Sequence, residues 1–132
     1  MRHVSSQDIV LSTESANIAV ALIAVIYTKA FKMAYGDYFG LKYKAVSASG
    51  TPDVKIELEV NNALPTTEGA ADTDWSVPEG MANIETNLIT ETIRHKSIAP
   101  PPFAYGRLKI TGNAANPADT IVTSKLSIQE EF

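Results

Sequence analysis

The chain has 132 residues, 45% of them hydrophobic and 20% charged, which suits one globular domain with a single core. Its 11 Lys and Arg against 15 Asp and Glu leave a net charge of -4, which argues against general attraction to nucleic acid. The absence of cysteine excludes a disulfide scaffold, a thiolate metal site and a cysteine nucleophile, and two histidines leave little material for an acid–base centre.

In chain order, Met1–Ser6 reads as a polar arm and Asp8–Thr13 as a first strand. The apolar run Ile18–Ile26 falls short of the ~20 residues that span a bilayer. Asp8 and Glu14 precede it where a secretory leader would carry positive charge, and there is no Asn-x-Ser/Thr acceptor. The expectation is a chain made in a cytoplasm, without a membrane partner. Val20, Ile23, Val25, Ile26 and Thr28 are β-branched, so residues 18–33 are expected to give strands, although their alanines would also suit a helix.

The next two segments alternate with period two. Phe39, Leu41, Tyr43 and Ala45 share one face of Tyr38–Val46, with Lys42 and Lys44 on the other. Val54, Ile56, Leu58 and Val60 alternate in the same way with Lys55, Glu57 and Glu59. Residues 47–53 are rich in turn formers, and the simplest expectation is an antiparallel hairpin that faces the two lysines with Glu57 and Glu59.

Residues 61–93 carry six acidic residues (Glu68, Asp72, Asp74, Glu79, Glu85, Glu91) and no Lys or Arg. Residues 61–79 read as a long connection, and Ile84–Ile89 as helical turns or, alternatively, Leu88–Ile93 as a strand. Pro100, Pro101 and Pro102 exclude a central strand at 98–103. Arg107–Thr111 and Ile121–Gln129 alternate and are expected to pair across the loop 112–119. Residues 129–132 form a second arm, whose apolar Phe132 suits a contact between subunits. The expected fold is all-β: one antiparallel β-sandwich or jelly roll of about six to eight short strands.

No catalytic residue, cofactor or metal is expected. Glu68–Trp75 offers oxygen ligands for calcium but lacks the EF-hand spacing, and a solvated loop explains it as well. Glu57 and Glu59 suit surface ion pairs better than glycoside hydrolysis. His95, between Arg94 and Lys96, has no Gly-x-Ser-x-Gly elbow to make a triad specific and reads as an exposed loop or strand end. Tyr43 belongs to the inward parity. Trp75 either caps the sandwich or faces a partner, with packing favoured. The candidate partner-binding residues are Trp75, Asp72, Asp74, Asn113, Asn116 and Phe132.

The segments Tyr38-Phe-Gly-Leu-Lys-Tyr-Lys, Thr51-Pro-Asp-Val-Lys-Ile-Glu-Leu-Glu-Val-Asn and Ala99-Pro-Pro-Pro-Phe-Ala-Tyr-Gly-Arg-Leu-Lys-Ile-Thr-Gly-Asn-Ala-Ala-Asn-Pro-Ala-Asp-Thr carry a family likeness. Over residues 35–129 the chain resembles small structural proteins from the morphogenesis regions of tailed bacteriophages. In that pattern a strand pair is followed by a variable loop, a proline-rich approach and a final Lys-Ile-Thr-Gly hairpin. The resemblance implies a non-catalytic virion component: a capsid decoration or cementing protein that binds the major capsid protein or other virion proteins, as a homo-oligomer. A tail or head–tail connector component is the nearest variant. The rival from another class is a carbohydrate-binding module or adhesin, which requires a row of exposed rings.

Overall fold

A computed structural model describes residues 2–8, 18–21, 23–33, 38–62, 74–98 and 104–131. The strands are β1 (Arg2–Asp8), β2 (Ile18–Val20), β3 (Val25–Tyr27), β4 (Phe31–Lys32), β5 (Tyr38–Val46), β6 (Val54–Asn61), β7 (Glu85–Leu88), β8 (Arg94–Ile98), β9 (Tyr105–Gly112) and β10 (Thr120–Glu131). Among the described residues they form two five-stranded sheets, and each pairing there is antiparallel. In the front sheet β10 is flanked by β5 on one side and by β1 and β2 on the other, and β8 lies outside β5. In the back sheet β9 holds β3 and β4 on one side and β6 on the other, with β7 outside β6. The fold is the expected all-β sandwich.

Alternation drives this layering. Phe39, Leu41, Tyr43 and Ala45 of β5 are buried, together with Val122 and Leu126 of β10 and Ile18 and Val20 of β2. The back sheet answers with Val54, Ile56, Leu58 and Val60 of β6 and Leu108 and Ile110 of β9. These side chains form one continuous core. Each fully buried Leu or Ile contributes about 1.5–3 kcal/mol relative to exposure. A one-residue slip in any strand would turn its whole apolar set to solvent, so the register is firmly specified.

The connections differ from expectation. β5 and β6 are not a hairpin: they lie in opposite sheets, and residues 47–53 arch between them. Glu57 and Glu59 therefore face Lys109 and Arg107 of β9, not Lys42 and Lys44. β9 and β10 are likewise split between sheets, so the expected closing hairpin is a second arch. The physical reason is common to both. A strand that buries one face shows the same alternation whether its neighbour in sequence lies beside it or across the core.

Other elements also moved. Residues 18–33 do give strands, but short ones in both sheets. Residues 84–89 form neither helix nor a strand over Leu88–Ile93; β7 ends at Leu88. The two expected arms are paired strand ends, with Arg2 opposite Glu131 and Asp8 opposite Lys125. Of the Asp8–Thr13 strand only Asp8 falls within the described residues, as the end of β1.

Candidate interaction surfaces

The outward side of the back sheet is covered at Arg107. Arg107 of β9 points away from the core, yet is only 4% exposed. Its guanidinium lies 4.1 Å from the centre of the Tyr27 ring and 4.7 Å from that of Trp75, and its Nε donates to Glu59 Oε1 at 2.9 Å. Trp75 is held there because Ser76 pairs with Val60 at the end of β6. Trp75 thus takes the packing role of the two weighed for it. The buried Glu59 is occupied by its cation and not available as a catalytic acid. Such a desolvated ion pair is stable only with both partners present.

The candidate residues Asn113 and Asn116 belong to the end of the sandwich where the arches meet. Asn116 is 2% exposed. Its Nδ2 donates to Val20 O (2.9 Å) and Ala21 O (3.3 Å), while its Oδ1 accepts from Asp53 N (3.1 Å) and the Thr120 hydroxyl (2.7 Å). One side chain therefore ties together the β2–β3, β5–β6 and β9–β10 crossings, with its hydrogen-bonding capacity used. Asn113 Nδ2 donates to Asp53 Oδ1 and Thr86 O. Both side chains hold the arches together from within the chain.

Backbone geometry is tight at this end. A Cβ on Gly112 would sit 2.5 Å from Ala21 O, so only glycine fits beneath the first crossing. In that crossing Ile23 has a φ of 51°, a left-handed conformation that a β-branched residue adopts only under strain. Nearby, Ser47 and Ser49 both donate to Asp119 Oδ1, which holds the Asp119 carboxyl below its ordinary value.

One side of the sandwich is closed by polar groups on β5, β7 and β8. Tyr43 of β5 donates its hydroxyl to Glu85 of β7, and Arg94 Nε of β8 meets the same carboxylate at 2.7 Å. Lys96 Nζ donates to Ile84 O at 3.1 Å. Burial, and then the hydrogen bond to Glu85, push the Tyr43 phenol up to about 12. Inward-pointing charges of this kind also discourage foreign strands from adding to an edge.

The outward side of the front sheet is different in kind. Antiparallel register sets Lys125 of β10 opposite Lys42 of β5, and Lys42 opposite His95 of β8. Thr123 pairs with Lys44 in the next row. Lys42, His95, Thr123 and Lys125 are exposed. Two open depressions of about 330 and 170 Å³ share Lys42: the first includes Lys44, Ile93 and Lys125, the second Gly40, His95, Ser97 and Ser127. The sequence pattern pairs Lys42 and Lys44 with the glutamates of β6 and does not reveal this face. Only the strand order brings its residues together.

Of the remaining candidates, Asp74 is exposed beside Trp75, and Asp72 and Phe132 lie outside the described residues. Most of the acidic stretch Glu68–Trp75 lies there too. Among the described residues no group of three His, Asp or Glu side chains could hold a metal ion, and no helix is long and apolar enough to cross a membrane. No protein-family model matches the chain, and a search of curated proteins finds no match.

Proposed function

We propose that this chain is a phage virion structural protein, a capsid decoration or cementing protein that works by surface complementarity without chemistry. The observation that carries the reading is the contrast between its two outward faces: one shut by Trp75 over a buried ion pair, the other an open lysine-bearing sheet surface. A charged face on a sandwich is suited to docking against protein, where electrostatic complementarity sets partner and orientation. The sequence segments that resemble tailed-phage structural proteins fall on β5, β6, β9 and the arch from β9 to β10. The major capsid protein is the proposed partner, and a tail or connector position is the nearest variant.

The sugar-binding alternative needs a row of exposed rings. Phe39, Tyr43 and Trp75 are buried, so no observation favours it. Mass spectrometry of particles purified from lysates of the encoding phage tests the proposal. The chain should be present in fixed stoichiometry to the major capsid protein, and its absence from intact particles would end the reading.

A further inference from the structure

We propose that the depression over Gly40, on the outward face of the front sheet, receives one acidic side chain of a partner protein, presented beside an apolar residue. The inference rests on the docking role proposed above for this face and names the group that the partner delivers.

The first argument is a glycine that the fold does not explain. The described strands contain three glycines, Gly40, Gly106 and Gly112. A Cβ on Gly106 would meet Met33 Sδ at 2.6 Å, and one on Gly112 would meet Ala21 O at 2.5 Å, so packing excludes a side chain at both. On Gly40 a Cβ would meet only Ser127 Cβ, at an ordinary 4.0 Å, and its φ is not left-handed. Register runs unbroken through Gly40 towards β10 and towards β8, so no bulge requires it either. Glycine weakens the interior of a strand. Where backbone and packing make no demand for it, it commonly marks a place that a ligand or another chain approaches closely.

The second argument is what surrounds the gap. Gly40 pairs with Ser127 on one side and Ser97 on the other, and Lys42, the next outward residue of β5, pairs with His95. These five residues line an open depression of about 170 Å³. Two hydroxyls, an ammonium and an imidazole are donors that suit an oxyanion, and none of the lining residues is acidic. Lys125, which is engaged within the chain, is no part of it.

The third argument separates a protein side chain from a free anion or a nucleic acid. A second depression of about 330 Å³ shares Lys42 with the first and carries the half-exposed Ile93 together with Thr123. A carboxylate over Gly40 would set a neighbouring residue of an extended segment against this apolar surface, which an inorganic ion cannot use. No exposed aromatic ring lines either depression, since Tyr43 is buried, and the net charge of -4 opposes long-range attraction of a polyanion. Complementarity of charge and polarity therefore selects an acidic residue of a protein.

Amide NMR of the purified chain tests this with a capped Val-Glu-Val peptide and its Val-Gln-Val counterpart. The glutamate peptide should shift the amides of Gly40, Lys42, His95, Ser97 and Ser127, and the glutamine peptide should bind about tenfold more weakly. Gly40→Val should abolish binding while the melting temperature holds or rises, because valine suits a strand. Ser97→Ala/Ser127→Ala should weaken binding with the remaining spectrum unchanged. Equal binding of the two peptides overturns the inference, as does a Gly40→Val chain that still binds. A lower melting temperature for Gly40→Val also overturns it, because the fold would then need the glycine. So does sodium phosphate or a short DNA oligonucleotide that binds this row more tightly than the glutamate peptide. A chain present in purified particles at fixed stoichiometry, yet blind to the glutamate peptide, removes this inference and leaves the virion reading standing. Peptide binding by a chain that is absent from particles does the reverse.

Discussion

The two outward faces of the sandwich are built from similar material and finished differently. Each sheet turns long cationic side chains away from the core: Arg107 and Lys109 on the back, Lys42, Lys44 and Lys125 on the front. On the back, β6 supplies a glutamate opposite each cation, and Trp75 closes over Arg107. On the front, Lys42 of β5 stands opposite Lys125 of β10, which has Asp8 of β1 on its other side. The comparison teaches that burial here follows local neutralisation. A guanidinium can be covered once its charge is met in the same row, whereas Lys42 and Lys125 of the front row stay exposed.

The largest test of that contrast is one substitution on each face. Arg107→Ala strands the buried Glu59 carboxylate and removes the cation between two rings, and should cost about 3–5 kcal/mol. Lys42→Ala should stay within about 0.5 kcal/mol of wild type. Urea unfolding of both variants reads the difference, and equal effects would erase the contrast between the faces.

A smaller effect asks whether the two layers depend on the shared tie at the arch end. Asn116→Ala leaves Val20 O, Asp53 N and the Thr120 hydroxyl without their partner, a loss of about 2–3 kcal/mol in the same titration. An outcome near zero would mean that the crossings are held by their backbones alone.

The smallest concerns the polar seam between Tyr43 and Glu85. Tyr43→Phe should cost about 1 kcal/mol at neutral pH. The folded phenol titrates at about 12 against 10.0 unperturbed, so between those values the folded state holds a proton that the unfolded state has released. The contribution of Tyr43 is complete below pH 10 and is lost as pH rises towards 12. Thermal melts across that range should show a steeper alkaline decline for wild type than for Tyr43→Phe.

Face assignments were legible in the sequence and partners were not. Leu41 and Ile56 read correctly as inward because alternation reports burial on one side. It does not report which strand lies alongside, and residues 47–53 have the same Ser, Gly, Pro and Asp content whether they turn a hairpin or arch over a core. Consecutive strands are usually neighbours, which made the hairpin the natural reading. Of the consecutive pairs here only β6 and β7 are hydrogen-bonded to each other. The lysine face was hidden for that reason, since Lys42 and Lys125 meet only through strand order. Asn116 looked like any loop asparagine, and nothing in its flanking residues signals that three crossings converge on it.

The placement of β10 bears on how the molecule is made. It is the axis of the front sheet, bonded to β1, β2 and β5, yet it follows all three of them in the chain. Until residues 120–131 leave the ribosome, β1 and β2 have no edge to join, and the apolar face of β5 lacks its main neighbour. Folding of this layer is therefore driven by contacts distant in sequence and correspondingly slow. An incomplete chain cannot present the lysine row at all, because Lys125 arrives with the strand that completes the sheet.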